Sequence, residues 1–197
     1  MSDTVQVQWT IIPRTAPQPW LNCVGCGGPR PFRSSGKIRV NANGRRLDAW
    51  LIYKCTACEG TWKRPILERL PVGAALVALR GNEPGWVRRL EFNAEALRRH
   101  AGRVEQFDDV VVIKHAPSQT IPPVRWMEIL CSVPEPTGLR LDRLLVSELH
   151  LSRGRLRDLA KTGYLIVVDG GPRALRKPVR DGQRVRLDLA GSRSDSN

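Results

Sequence analysis

Two Cys-x-x-Cys pairs constrain the fold of this chain more than any other feature. Cys23 and Cys26 form the first pair, within LNCVGCGG, and Cys55 and Cys58 form the second, within YKCTACEG, with 28 residues between the pairs. A two-residue gap lets both sulfur atoms of a tight turn reach one ion, and two such turns complete the tetrahedral shell that zinc prefers. The spacing therefore predicts a structural Zn2+ site with these four cysteines as ligands.

Paired disulfides, a redox-active Cys-x-x-Cys motif and a chance spacing are the alternatives to a metal site. Residues 1–20 lack the basic segment and uninterrupted apolar run of a secretory signal, so we expect a cytoplasmic protein, in which reducing conditions disfavour disulfides. The longest apolar stretches, such as residues 74–79, are far shorter than the roughly 20 residues of a membrane span, and we expect no membrane partner. The fifth cysteine, Cys131, is expected to pack as a small hydrophobic residue.

The segment between the two pairs has the pattern of a β-hairpin. Residues 37–41 and 47–54 read as strands, and Asn43-Gly44 is a strong signal for a two-residue turn between them. Residues 61–64 are expected to add a third strand, so that a β-ribbon joins the two metal-binding turns in the layout of a zinc ribbon. Three large side chains are available to cover the ribbon: Trp50, Tyr53 and Trp62. Four glycines next to the pairs are expected to adopt positive φ: Gly25, Gly27, Gly28 and Gly60.

A helical pattern follows the ribbon. Residues 70–81 predict a short apolar helix, and residues 83–102 predict one or two more, with Asn93 as the N-cap of the last. Two strands, separated by a proline-bearing loop, are predicted over residues 110–114 and 126–133.

Positive charge is the second constraint. The formal net charge is +13 and the sequence pI is about 10.6, values that favour a polyanionic partner. Residues 139–189 contain 12 lysines and arginines against 6 acids. Because lysine and arginine contacts to phosphates dominate affinity for nucleic acid, we expect RNA as the partner; a solvated surface on a protein-docking domain is the alternative.

The basic C-terminal segment predicts two short helices followed by strands. Its leucines recur at helical spacing, and Ser152 is suited to cap the second helix. Arg153, Arg157 and Lys161 are four residues apart, so that three cations share one face of that helix. Gly163 marks the helix end, and strands are predicted from residue 165 and over residues 183–189.

The passages RLDRLL, Ser152-Arg153, DLAKTGYLIVVDG and VRDGQRVRL closely resemble the small RNA-binding domain first recognised in the fourth small-subunit ribosomal protein. The resemblance covers residues 139–189 and implies that the basic face of the paired helices contacts structured RNA of the rRNA or tRNA class. On the helices, the contacts that it implies are Arg140, Arg143, Ser152, Arg153, Arg155, Arg157 and Lys161. The loop GGPRALRK is longer than the turn common in that family, and it extends the basic surface through Arg173, Arg176 and Lys177.

A second resemblance extends over most of the chain. The segment KIRVNANGRRLDAWLIYKCTACEGTW (residues 37–62), the preceding Cys-x-x-Cys pair and the later RLDRLL and LSR motifs are similar to a bacterial family catalogued as domain of unknown function 1062. This resemblance implies no activity.

Together these patterns predict an α+β protein with a β-rich zinc ribbon, a short helical segment and a small α+β RNA-binding domain of two helices and short strands. The expected boundaries are a ribbon over residues 1–69, helices and strands packed between the modules over 70–133, the RNA-binding domain over 134–191 and a disordered tail over 192–197. We expect a zinc-containing RNA-binding protein without enzymatic activity, because no nucleotide-binding, hydrolase or metalloprotease motif is found. The alternative is a regulatory module in transcription or translation whose ribbon binds a protein partner.

Overall fold

The computed structural model describes residues 3–43, 46–71, 83–117 and 124–192. The strands within these residues are β1 (Thr4–Pro13), β2 (Gln18–Cys23), β3 (Gly28–Asn43), β4 (Arg46–Cys55), β5 (Thr61–Pro71), β6 (Arg103–Glu105), β7 (Val110–His115), β8 (Trp126–Ser132), β9 (Leu165–Val167) and β10 (Arg184–Asp188). The helices are α1 (Pro84–Glu91), α2 (Ala94–Arg98), α3 (Leu141–Glu148), α4 (Arg153–Lys161) and α5 (Leu189–Ser192). Two 3-10 turns cover Val24–Cys26 and Pro172–Arg176.

The chain divides into two compact units. The ribbon unit comprises Thr15–Gln106, and the terminal unit comprises Met1–Arg14 together with Phe107–Asn197. The terminal unit is discontinuous in sequence because β1 pairs with β7 and β8, which follow it by about a hundred residues. The sequence boundaries expected at residues 69, 133 and 191 do not coincide with these units, and that finer division stays a prediction.

The ribbon unit is built on a five-stranded antiparallel sheet in the order β5-β4-β3-β2-β6. Residues of β4 alternate between the two faces of the sheet, as the pleat requires. The inward set, which has at most 1% of its surface exposed, is Leu47, Ala49, Leu51, Tyr53 and Cys55. This face packs with Val87 of α1 and Leu97 of α2 in one apolar cluster. The buried Arg64 donates a hydrogen bond of 2.8 Å to the carbonyl of Leu90, which anchors the end of α1 to β5.

The terminal unit contains a second five-stranded sheet, in the order β7-β1-β8-β10-β9. Within it β1 and β8 are parallel and the other pairs are antiparallel. The inward side chains of the sheet form one apolar cluster with leucines of α3 and α4 and with Ala174 and Leu175 of the second 3-10 turn. Cys131 is fully buried in that cluster, where it packs as a small hydrophobic residue.

Mixed helix and strand content with two sheets agrees with the predicted α+β class. The N-cap prediction is also confirmed, since the Asn93 side chain accepts a hydrogen bond of 2.9 Å from the Ala96 amide. The predictions missed β1 and β2, although residues 4–11 alternate between polar and apolar side chains in the pattern of a strand. None of the helices that the structure describes is both long and apolar enough to cross a bilayer.

Several expectations concern segments at the edges of the described residues. The apolar helix predicted over residues 70–81 is wrong at its start, because Leu70 and Pro71 belong to β5, which pairs with β4. The rest of that helix lies outside the described residues, as do Gly44 of the hairpin turn, residues 118–123 of the proline-bearing loop and residues 193–197 of the predicted tail.

Candidate metal centre and cationic groove

The sheet of the ribbon unit brings the two Cys-x-x-Cys pairs to one end. The first pair lies where β2 ends at Cys23 and β3 begins at Gly28, and the second lies where β4 ends at Cys55 and β5 begins at Thr61. Because β2, β3, β4 and β5 are antiparallel neighbours in sequence order, alternate connections fall at the same end of the sheet. The β-pairing of Phe32 with Cys55 fixes the register between the two halves.

The four cysteines form a single cluster. Their Sγ atoms all lie within 4.8 Å of one another, with 3.3 Å between Cys23 and Cys58 and 3.9 Å between Cys26 and Cys55. All four are free thiols, so the pairs are not disulfides. Cys23 and Cys55 are buried, Cys26 is half-buried and Cys58 is exposed. Four sulfur atoms at this spacing, each from a turn held by the sheet, can coordinate one metal ion.

Two glycines of the cysteine cluster are required by the space that the sulfur atoms occupy and not by the backbone conformation of the turn. A Cβ on Gly25 or on Gly60 would lie 3.2 Å from the Sγ of Cys58, tighter than ordinary packing. Positive φ was expected at four glycines but occurs only at Gly27 among them, with φ of 69°, and also at Glu59, with φ of 60°. The glycines at positions 25 and 60 are therefore explained by close approach of thiols, which a turn pattern alone does not reveal.

Hydrogen bonding shifts the thiol pKa values of the cluster in opposite directions. The contact with Cys58 raises the pKa of Cys26 to about 12. Desolvation acts to raise the pKa of Cys55, but the backbone N–H groups of Ala57 and Cys58 outweigh it and lower that pKa to about 7. N–H groups that stabilise the Cys55 thiolate also favour metal binding, because a cysteine coordinates in its deprotonated form.

Aromatic residues pack beside the cysteine cluster on one face of the sheet. The rings of Tyr53 and Trp62 lie 5.2 Å apart between centroids, and Trp62 also contacts the His100 ring edge-on at 5.7 Å. Trp50 does not join them, since the alternation along β4 places it on the opposite face. The three large residues are thus divided between the two faces of the ribbon sheet, with Tyr53 and Trp62 on one face and Trp50 on the other.

A cationic groove lies in the terminal unit between α3, α4 and the second 3-10 turn, with a volume of about 660 Å³. Its lining contains six of the predicted RNA contacts and one acid, Asp142. The six are Arg140, Arg143, Arg153, Arg157, Lys161 and Arg176. The apolar part of the lining was not expected from the sequence and consists of Val146, Leu156, Ala160, Pro172 and Leu175.

The core of the terminal unit positions these cations. Leu144 and Leu145 of α3 and Leu156 and Leu159 of α4 are at most 2% exposed, so each helix is fixed with its charged face outward. At the start of α4 the hydroxyl of Ser152 accepts a hydrogen bond of 3.0 Å from the Arg155 amide. Ser152 thus acts as the predicted helix cap.

Two of the six groove cations are paired with carboxylates, and the other four form no ion pair with a described carboxylate. Arg140 donates to Asp142, with 3.0 Å between Nε and Oδ1, and Arg143 pairs with Asp108. No described carboxylate forms an ion pair with the remaining groove cations, which are Arg153, Arg157, Lys161 and Arg176. Uncompensated positive charge is concentrated on α4 and the second 3-10 turn.

Four of the predicted contact residues do not line the groove, and one of them is Ser152, the cap of α4. Arg155 donates a hydrogen bond of 3.0 Å to the carbonyl of Gly191 and so ties α4 to α5. Arg173 and Lys177 are exposed at the second 3-10 turn but do not line the groove. A helical spacing of cations places Arg153, Arg157 and Lys161 together, whereas the direction of loop residues depends on the tertiary fold.

Comparison with known proteins identifies a family and no individual relative. Neither a curated protein nor a solved structure matches the chain. The model of a protein family of unknown function, DUF1062, matches residues 40–170. That range includes the second Cys-x-x-Cys pair, α3 and α4, and it begins after the first pair. With two thirds of its length matched by this model, the chain belongs to the DUF1062 family.

Proposed function

We propose that this protein is a zinc-stabilised RNA-binding protein that holds folded RNA in the cationic groove. Six cations lining one groove against a single acid carry the proposal. Arginine and lysine side chains on a rigid helix pair supply positions for successive phosphates of an RNA backbone, and shape-led recognition of this kind suits structured RNA of the rRNA or tRNA class.

The resemblance of residues 139–189 to the RNA-binding domain of the fourth small-subunit ribosomal protein supports the same proposal. The implied contacts on paired helices include the groove residues Arg140, Arg143, Arg153, Arg157 and Lys161. Within the described residues Arg153, Arg157 and Lys161 form no ion pair with a carboxylate, which adds support because cations that already face carboxylates lose part of their attraction for phosphate.

Zinc is the metal that the four-cysteine cluster fits best. A tetrahedral ion with metal–sulfur bonds of about 2.3 Å requires sulfur atoms about 3.8 Å apart. The distances of 3.3 Å and 3.9 Å and the upper limit of 4.8 Å bracket that value. Four thiolates close the coordination shell, so the ion supplies folding stability and no open position for a substrate. The proposed role is binding without catalysis.

The groove is tested by fluorescence anisotropy of a labelled RNA stem-loop over a series of salt concentrations. We expect wild-type affinity to fall steeply with salt, because binding releases counterions from the RNA. Arg153→Gln/Arg157→Gln should weaken binding by about tenfold or more and reduce the salt slope by about two, roughly one for each lost phosphate contact.

The matched control is Arg89→Gln/Arg98→Gln, which removes the same charge from exposed positions of α1 and α2 in the ribbon unit. It should leave stem-loop affinity within about twofold of wild type if a specific groove, and not net charge, governs binding. Equal losses of stem-loop affinity in the two double variants would refute the proposal that the groove binds RNA. Wild-type binding without salt dependence would refute it as well.

A protein-binding ribbon is the second candidate function, and one residue favours it. Val24 is 99% exposed at the first metal-binding turn, an unusual position for a large apolar side chain. If the turn contacts a protein, Val24→Asp should abolish partners that survive nuclease treatment while stem-loop RNA binding stays unchanged. Loss of every partner on nuclease treatment would favour the RNA-binding proposal alone.

A further inference from the structure

The outer face of the ribbon sheet, opposite α1 and α2, combines basic side chains with an aromatic one. The lining of the groove contains no aromatic side chain. We propose that this face binds a single-stranded polynucleotide, with Trp50 stacking on a base and the surrounding cations contacting phosphates. We call it the basic-aromatic face and define it by Arg33, Arg39, Trp50, Ile52, Lys54 and Lys63. It lies in the ribbon unit and is independent of the groove in the terminal unit.

Strand register places these residues side by side. Arg39 of β3 is the cross-strand partner of Trp50, and Lys63 of β5 is the partner of Ile52. Arg33 is likewise the partner of Lys54. Neighbouring strands lie about 4.8 Å apart, so each pair forms a row across the sheet. Trp50 therefore has positive side chains beside it and in the adjacent rows.

The alternation along β4 and β3 turns this set away from the core. Leu51 and Tyr53 are fully buried on the helix-covered face, whereas Trp50, Ile52 and Lys54 between them retain part of their exposure. On the flanking strands Arg33, Arg39 and Lys63 are exposed. A tryptophan that remains accessible at the centre of a sheet offers a surface on which a base can stack.

The charge of the face is strongly one-sided. Arg33 forms an ion pair with Glu59, and Asp48 lies at the far end of the face beside Asn41. Arg39, Lys54 and Lys63 form no ion pair with a carboxylate in the part of the chain that the structure describes. The ammonium of Lys54 donates a hydrogen bond of 2.7 Å to the hydroxyl of Thr61, a neutral group.

An aromatic ring among such cations is better suited to binding single-stranded nucleic acid than a duplex. Bases of a single strand expose their π-faces to stacking, whereas those of a duplex are stacked on one another. A protein partner would need an acidic surface with an apolar residue at the Trp50 position, so the charge complementarity points first to a polynucleotide. RNA and DNA present the same backbone charge and base faces, and the binding assay separates the two.

The test is a titration of labelled oligouridine with full-length zinc-loaded protein that carries Arg153→Gln/Arg157→Gln, so that the groove is weakened. Lys54→Gln/Lys63→Gln added to this background should lower affinity and reduce the salt slope by about 1.4, because each lost contact to a single strand accounts for roughly 0.7. Trp50→Leu should weaken binding by about tenfold with an unchanged salt slope, since it removes stacking and no charge. Trp50→Phe should restore most of that loss.

The control is again Arg89→Gln/Arg98→Gln, on the helices that pack against the opposite face. Zinc content and the thermal midpoint of each variant establish that it is folded. Binding of oligouridine, or of oligodeoxythymidine in a parallel titration, supports the face and identifies RNA or DNA as its ligand.

The proposal would be overturned if the Trp50→Leu, Lys54→Gln/Lys63→Gln and control variants bound oligouridine with equal affinity and also bound oligodeoxythymidine with equal affinity. Stem-loop binding through the groove is measured separately, so that either proposal can fail without the other.

Discussion

The two compact units of this protein achieve their stability by different means. Within the described residues, the buried apolar cluster of the terminal unit has 18 members, whereas that of the ribbon unit has 10, of which two are the cysteines at positions 23 and 55. A core of that size leaves little surplus over conformational entropy. We therefore expect the ribbon unit to gain folding free energy from a metal at its four-thiol cluster, whereas the larger apolar cluster supports the groove of the terminal unit.

The two units also differ in where their candidate binding residues lie. In the ribbon unit the sulfur atoms occupy the end of the sheet, and its outer face is available for charged residues. In the terminal unit the helices themselves carry the cations, because their inner faces are fixed by the apolar cluster. The following predictions test whether the two units differ in this way.

The largest expected effect is loss of the metal. Cys55→Ser should abolish stoichiometric zinc and unfold the ribbon unit, because metal binding in small cysteine sites contributes on the order of 10 kcal/mol to folding. Metal analysis and amide hydrogen exchange should show zinc loss and exposed β3 and β4 while α3 and α4 stay protected. Cys131→Ala is the matched control and should retain one zinc per chain; retention of zinc by Cys55→Ser would contradict the prediction.

Two core truncations test whether zinc stabilises the ribbon unit and not the terminal unit. Leu51→Ala and Leu145→Ala each remove a fully buried leucine, from the ribbon unit and the terminal unit respectively, and each should cost about 2–5 kcal/mol. Added zinc should raise the thermal midpoint of the Leu51→Ala unit, because a ligand that binds only the folded state stabilises it, and should leave the transition of the Leu145→Ala unit unchanged. If zinc shifts both transitions equally, the units do not fold separately.

Helix caps are expected to have a smaller effect. Ser152→Ala and Asn93→Ala each remove a side chain that accepts a hydrogen bond from a backbone amide, at 3.0 Å and 2.9 Å respectively. Each should destabilise its own unit by about 1 kcal/mol in denaturant unfolding. Only Ser152→Ala should also reduce stem-loop affinity, because it loosens the first turn of α4 next to Arg153. Equal effects on RNA binding would argue against the separation of the two sites.

The smallest expected effect is a change in the stability of the terminal unit at low pH. Burial alone would raise the pKa of Asp188, but hydrogen bonds from Gly191 N–H, Arg125 and Ala190 N–H lower it below its ordinary value of 3.8. A lowered folded-state pKa means that Asp188 stabilises the terminal unit above pH 3.8, and that this contribution is lost as the pH falls toward the folded value. Asp188→Asn should therefore flatten the acid limb of the stability profile, and the exposed Asp169→Asn should not. An unchanged acid limb in Asp188→Asn would disprove the assignment.

Local sequence rules predicted several parts of the molecule correctly. The spacing of Cys23, Cys26, Cys55 and Cys58 indicated one cluster, because two-residue gaps close a turn whatever the surrounding fold. Ser152 and Asn93 were assigned as caps, since a cap depends only on the next three residues. The four-residue spacing of Arg153, Arg157 and Lys161 likewise placed three cations on one groove wall.

Nonlocal pairing was outside the reach of those rules. The pairing of β1 with β8 joins residues more than a hundred positions apart, so the alternating pattern of residues 4–11 could not indicate which strand they pair with. For the same reason the sequence did not indicate which face of the ribbon Trp50 occupies. Whether alternate residues face the core or the solvent depends on which face the helices cover.

Residue type and spacing along short stretches were sufficient to identify the four cysteines of the cluster, the two helix caps and the strong positive charge. The packing of several elements was needed to show that six cations line one groove, and that Arg33, Arg39, Lys54 and Lys63 lie around Trp50. The physical reason is that a local pattern fixes how residues are arranged along one helix or strand, whereas the packing of several elements fixes which of those residues meet.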